Sequence, residues 1–450
     1  AWSGTLKLGA SSVIPDGAGR GDVMMNGTLD MNGFNETING LSGSGFVDTV
    51  SGGTPRLTSG ANNVSSTFSG VIRNTAGSLA ITKTGSGTLT LSGNNTYYGG
   101  TILSAGAIAM GAGGASGTIG AGPLTMSGTQ LTINRSDNPT MTNNISGSGT
   151  ISKSGANTVT YGGASIFSGT ITLASGGWTI AADGSMTGVA NLTQANTVNT
   201  TWTVNGVLSA TTFQYGAYVG ANFTSRSCAL NIAGTATIGT MTISRIGWCQ
   251  DATATTTVNV NNGGTLTATT IQGINNDFGA VGFKRPHRYI NVNAGGRLNV
   301  TTINLPQGGD ASTDRRLTLN NGGTFANIAS GNASTDSSTQ IRLLGNPTIE
   351  VTTNRVIDIN GLMYDTGGVT KTGPGYVNIR YNPTFTGATI VNEGGWQLVS
   401  RTSYPSPITI NSNTWVQTYV EASTSAAGSP VQLNGGGRFS SYSSGNYYSL

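Results

Sequence analysis

Charge is what this chain has least of. Its 450 residues include 21 Lys and Arg, 17 Asp and Glu and a single His, so 8% are charged, against roughly a quarter in an ordinary soluble domain. General acid–base catalysis needs ionisable groups brought together. A Ser-His-Asp triad would have to use His287, the one histidine of the chain, set between Pro286 and Arg288. No spacing of Cys and His suits a metal. The sequence therefore assigns no catalytic residue, metal ligand or cofactor, and predicts a protein that is not an enzyme.

Other shortages narrow the class. The net charge of +4 rests on a small imbalance, and the only dense basic cluster is Lys284, Arg285 and Arg288 around Pro286 and His287. Nucleic-acid binding needs a longer basic stripe, so the cluster reads as a solvated loop, with contact to an anionic glycan or another subunit as the alternative. No run approaches the roughly 18 apolar residues of a membrane helix, and no membrane span is expected. The chain starts at Ala1 with neither Met nor a signal peptide, which reads as a processed chain or a fragment. Cysteine is almost missing. Cys228 and Cys249 lie 21 residues apart, about one solenoid coil, so a coil-to-coil disulfide is feasible, with two buried thiols as the alternative.

What is abundant is Thr, Ser, Asn and 70 Gly, and the Gly are spaced as turn punctuation rather than clustered as linker. The stretch LAITKTGSGTLTLSGNNTYYGGTILSAGAIAM, Leu79 to Met110, alternates apolar and polar residues and breaks at Gly or Asn, the pattern of short strands in series. Its frame recurs without gaps. Counting from Lys83, Lys153 and Lys371, an aromatic residue follows at 14 (Tyr97, Phe167, Phe385), Gly at 16 (Gly99, Gly169, Gly387) and Gly at 23 (Gly106, Gly176, Gly394). Position 25 holds Ile108, Trp178 and Trp396; a slot that accepts Ile reads as core, and these residues read as repeat packing. Residues 54–72 read as a loosened copy, with Leu57 and Gly60 in the places of Leu91 and Gly93 and four extra residues before Phe68.

A second pattern starts at Val258, Ile290, Leu317 and Val431, with Gly pairs five and six residues on (Gly263-Gly264, Gly295-Gly296, Gly322-Gly323, Gly436-Gly437) and an apolar residue at eight. It reads as one corner of a coil, the Gly pair supplying a positive φ. KRPHRY and PQGGDASTDRR read as corner loops. Together these features predict an all-β parallel solenoid of about 20 coils, with corner loops of variable length, continuous over residues 1–450. Residues 1–26 are a candidate N-terminal strand or cap and 431–450 a C-terminal edge coil.

At Lys83-Thr84-Gly85, Leu89 to Gly93, Asn95, Tyr97, Gly99-Gly100-Thr101 and Gly106 the sequence resembles the autotransporter-associated β-strand repeat, also called the passenger-associated transport repeat. The resemblance is close over residues 27–110 and recognisable at 147–180 and 367–399. It implies a right-handed parallel β-helix, secreted and displayed at a bacterial surface, with no family-wide catalytic residues. Autotransporters end in a membrane barrel, whereas this chain ends in GRFSSYSSGNYYSL.

Three functions follow in order of expectation. The first is an extracellular structural subunit that self-associates end to end or by strand donation into a filament or surface layer, with Trp2, Leu6, Leu8, Tyr442, Tyr447 and Tyr448 as candidate subunit contacts. The second is an adhesin passenger that binds a cell-surface glycan or host surface through loops 275–288 and 307–316. The third is a polysaccharide-cleaving enzyme using Asp310, Asp314, Arg315 and Arg316 with Asp277 and Lys284. Arg20-Gly21-Asp22, an integrin-type tripeptide, is expected from composition alone in so Gly-rich a chain.

Overall fold

The structure, a computed structural model, describes residues 4–194, 199–215, 227–243, 255–273, 287–305, 314–328, 331–399, 404–419, 431–443 and 446–449. The described residues contain strands and no helix. The fold is an all-β parallel solenoid of about 16 turns. The expected 20 was too many because coil length varies: 20 residues separate the hydrogen-bonded pair Asp358 and Asn378, but 32 separate Asn259 and Asn291. Long corners use up chain that an even division would have given to further turns. The chain forms two compact units, residues 1–200 with 206–211, and 201–205 with 212–450.

In the first unit, parallel strands Thr5–Lys7, Thr28–Asp30, Phe46–Asp48 and Val71–Ile72 stack in register. Buried Asp48 ties the corner that follows, accepting from the Thr75 N–H and hydroxyl and from Arg73, each at 2.7–2.8 Å. Burial pushes its carboxyl up, but the Thr75 and Arg73 bonds outweigh that and leave it below the usual value. The repeat follows. Lys83 stands beside Leu103 and Lys153 beside Leu173, each one coil on. In the second unit Lys371 stands beside Val391 in the same way. Leu89, Val159 and Val377 likewise meet Ile108, Trp178 and Trp396. The motif therefore spans more than one coil and pairs with itself.

The three motif lysines are fully buried. Each ammonium sits in a cage of main-chain carbonyls, and at Lys371 the Glu393 and Glu350 carboxylates add a smaller attraction. Lys83 donates to Gly85 O at 2.9 Å and to Thr84 O; Lys153 donates to Gly155 O at 2.6 Å, Ser175 O at 2.9 Å and Asn157 O. Lys371 donates to Thr372, Gly373 and Glu393 carbonyls at 2.8, 2.6 and 3.1 Å. Burial lowers all three pKa values, those of Lys153 and Lys371 to about 8, so both remain largely protonated at neutral pH. The Gly at position 23 closes the cage. Gly106, Gly176 and Gly394 have φ of 69°, 72° and 67°, and a Cβ there would strike carbonyl oxygens of the preceding coil.

The aromatic slot at 14 is core, with Tyr97, Phe167 and Phe385 wholly buried, as are Trp178 and Trp396. Gly99, Gly169 and Gly387 lie against the backbone of the preceding coil, where no side chain fits. Residues 54–68 correct the sequence reading. Leu57 stands beside Ile81, Ser59 beside Lys83 and Phe68 beside Leu91, so this stretch matches the first half of the repeat without a four-residue insertion. Ser59 takes the lysine slot and donates to Asn39 O at 2.9 Å. The Gly-Ala-Ser corner from Gly111 to Gly122 is held by buried Arg135, which donates to the Ala115 and Gly117 carbonyls, both at 2.9 Å.

In the second unit, Val258, Ile290 and Leu317 stack in register, as do Leu266, Leu298 and Phe325, and all six are buried. The first Gly of each pair has positive φ, 74° at Gly263, 71° at Gly295, 74° at Gly322 and 92° at Gly436. In the fourth copy the inward positions Val431 and Leu433 are 39% and 38% exposed. Val431–Leu433 and Arg438–Ser443 stack in parallel on the preceding coil, and Asn446–Ser449 then pairs antiparallel with Arg438–Ser443.

Candidate contact surface

Parallel strands Ser227–Ile232, Thr255–Val260, His287–Val292, Arg315–Leu319, Gln340–Leu343 and Met363–Tyr364 form one face of the second unit. Alternation turns Arg288, Ile290 and Val292 inward and His287, Tyr289 and Asn291 outward. One outward column then runs Thr257, Tyr289, Arg316, Gln340. The next runs Asn231, Asn259, Asn291, Thr318, Arg342, Tyr364.

The basic cluster is not the solvated loop expected of it at Arg288. Arg288 and Arg315 are in register and buried, at 3% and 6% exposure. The reason was legible: Arg288-Ile290-Val292 and Arg315-Leu317-Leu319 each alternate with polar neighbours, which places the arginines on the apolar face. The neighbouring outward residues form a close polar group. The Asp314 N–H donates to His287 Nδ1 at 3.1 Å, the Tyr289 hydroxyl to Asp314 at 3.4 Å, and Arg316 ion-pairs with Asp314. The Arg316 guanidinium lies 4.9 Å over the Tyr289 ring, and His287 stacks parallel to that ring at 5.8 Å. Burial works against the Arg316 charge, but Tyr289, Asp314 and Tyr364 outweigh it and raise its pKa. One rung away Arg342 pairs with Asp365 at 2.6 Å and holds that carboxyl below its usual range.

Upstream, the same face carries an asparagine ladder. Asn259 donates to Asn231 at 2.8 Å and Asn291 to Asn259 at 2.9 Å. A second ladder at the corner joins Asn261, Asn293 and Asn320 at 2.8 Å per step. Sequence reading passed over both because Asn was taken as turn punctuation; the signal was the common offset of Asn259, Asn291 and Asn261, Asn293 from each motif start.

Among the enzyme candidates, Asp314 and Arg316 come together while Arg315 faces inward. Asp277, Lys284, Arg285, Pro286 and Asp310, most of both expected adhesive loops, and Trp2 lie outside the described residues, as does Cys249. Cys228 is buried and faces inward. Leu6 is half-buried and Leu8 buried. Tyr442 is registered with Tyr447 in the antiparallel pair, where Tyr448 stands opposite Ser441. Arg20, Gly21 and Asp22 are exposed, but the Asp22 carboxylate accepts from the Gly40 N–H and from Asn62, both at 2.8 Å, which ties it into its own corner. Among the described residues no three His, Cys, Asp or Glu gather as a metal site, and no helix is long and apolar enough to cross a membrane.

A parallel β-solenoid whose caged lysines recur in register is the class this geometry defines, and the chain carries repeats of the autotransporter passenger type: the passenger-associated-transport-repeat matches residues 81–110 and 369–395. Among curated proteins the chain is similar to the adhesin BmaC autotransporter of Brucella suis biovar 1, with 35% identity over 188 residues. The match covers 41% of this chain but 5% of that adhesin, so the chain spans a small fraction of the relative's length. No solved structure matches.

Proposed function

We propose that this chain is a non-catalytic segment of an autotransporter passenger, secreted or displayed at a bacterial surface, and that it serves adhesion. The likeness to a protein named an adhesin autotransporter carries this reading, and the repeats at 81–110 and 369–395 support it. It takes precedence over the filament subunit first expected from the sequence, because the comparisons favour an adhesin and neither match points to a polymer. The contact surface we assign is the outward face built from His287, Tyr289, Arg316, Arg342 and Tyr364.

Purified chain coated on beads is expected to bind host cells saturably, and Tyr289→Ala with Arg316→Ala to reduce binding at least about tenfold, a loss of about 1.4 kcal/mol. Unchanged binding by a folded double variant would remove the face from the proposal. Electron micrographs of native material separate adhesin from filament: regular end-to-end polymers would restore the structural reading.

A further inference from the structure

We infer that the ligand of this face is an uncharged sugar chain lying along the stack of rungs, an inference that rests on the adhesin reading and names its ligand. Three observations converge on one strip of surface. The first is periodicity. Asn231, Asn259 and Asn291 repeat the same amide at successive rungs, about 4.8 Å apart, close to the length of one pyranose unit in an extended chain. Asn259 and Asn291 each use one N–H along the ladder, and Asn231 and Asn259 each accept through the amide oxygen. A second N–H remains on Asn259 and Asn291, and a second carbonyl lone pair on Asn231 and Asn259, so successive sugars would meet like amide groups.

The second is charge. Where the strip becomes ionic, each cation already has its anion: Arg316 with Asp314, Arg342 with Asp365. A uronate or sulfated chain would have to displace those carboxylates, whereas a neutral chain bonds to the outer edges of both pairs. The third is the form of the polar groups. His287 lies parallel to the Tyr289 ring and the Arg316 guanidinium lies over it; Asp314 takes up His287 Nδ1 and the Tyr289 hydroxyl proton, which turns the imidazole Nε2 and the outer guanidinium N–H groups toward sugar hydroxyls. The strip thus offers a row of planar, mutually braced hydrogen-bonding edges with its charges paired, the chemistry of a hydroxyl-rich polymer.

The native chain is tested against mannan, galactan and xylan as neutral probes and polygalacturonate and heparin as acidic ones. Asn291→Ala and Tyr289→Phe serve as variants and Thr90→Ala, in the first unit, as control, with circular dichroism confirming the fold of each. The expected result is binding to at least one neutral chain, stronger than to either acidic chain, about tenfold weaker in each of the two variants and unchanged in the control. Tighter binding to the acidic chains, or neutral binding indifferent to both variants, overturns the inference. Saturable binding to host cells that no neutral chain competes away overturns it too, while leaving the adhesin reading in place; binding to neither cells nor sugars removes both.

Discussion

At the scale of single residues, the caged lysines show how a buried cation is held chiefly by main-chain carbonyls. Replacing Lys153 by Met keeps much of the volume but leaves the Gly155, Asn157 and Ser175 carbonyls without their donor. The expected cost is about 3 kcal/mol, read as a lower urea midpoint, while Lys7→Ala on the surface stays within about 0.5 kcal/mol. The same cages set a pH dependence. Unfolded lysine holds its proton up to about 10.5, whereas Lys153 and Lys371 release theirs at about 8. Between those limits the unfolded chain binds more protons, so stability rises with pH, and below about 8 this contribution is flat. Urea titrations at about pH 7.5 and about pH 9.5 check the sign, and Lys153→Met with Lys371→Met together reduce the difference, Lys83 keeping its own share. The recurrence of these lysines was legible in the sequence, but their surroundings were not, because the cage is main-chain oxygen that any residue can supply. Arg288 and Arg315 failed the other way: their alternation was visible, and their charge argued for a loop that the alternation overrode.

At the scale of the element, corners and ladders fix register. Gly176→Ala is expected to cost about 2 kcal/mol or more, since φ is 72° and a Cβ would meet both Asn157 O and the Lys153 ammonium. Gly114→Ala, with open space around it, should stay within about 0.5 kcal/mol. Thermal melts of the two variants separate a glycine required by geometry from one allowed by composition. In the ladder, Asn259→Ala severs bonds to both neighbours and should lower stability by about 1 kcal/mol, with faster amide exchange in Thr255–Val260 and the strands beside it. The strand pattern was readable wherever the motif recurred whole. It misled at residues 54–68 because Leu57-Thr58-Ser59-Gly60 lies between the spacing of Ile81 to Gly85 and that of Leu91 to Gly93, and only the partner strand, which sets Leu57 beside Ile81, decides which is meant.

At the scale of the whole molecule, solenoid stability comes from many like interfaces between coils rather than from one large core. Electrostatics contributes little: Arg316–Asp314 and Arg342–Asp365 are part-exposed, and buried Asp48 meets an Arg73 that is itself 41% exposed. Raising NaCl from about 0.05 M to about 1 M should therefore shift the free energy of unfolding by less than about 1 kcal/mol. The parallel solenoid was legible because its repeats are written in residues; the turn count was not, because corner length varies from coil to coil without changing the strands. One feature of the cages reaches further. Lys153 bonds to Ser175 and Lys371 to Glu393, each 22 residues downstream, so neither cage is complete until the following turn has landed. Until that turn has packed, the ammonium lacks one of its carbonyl partners. At those two turns the lysine therefore ties the local register to the turn that follows it, so a defect in that turn is felt one coil back.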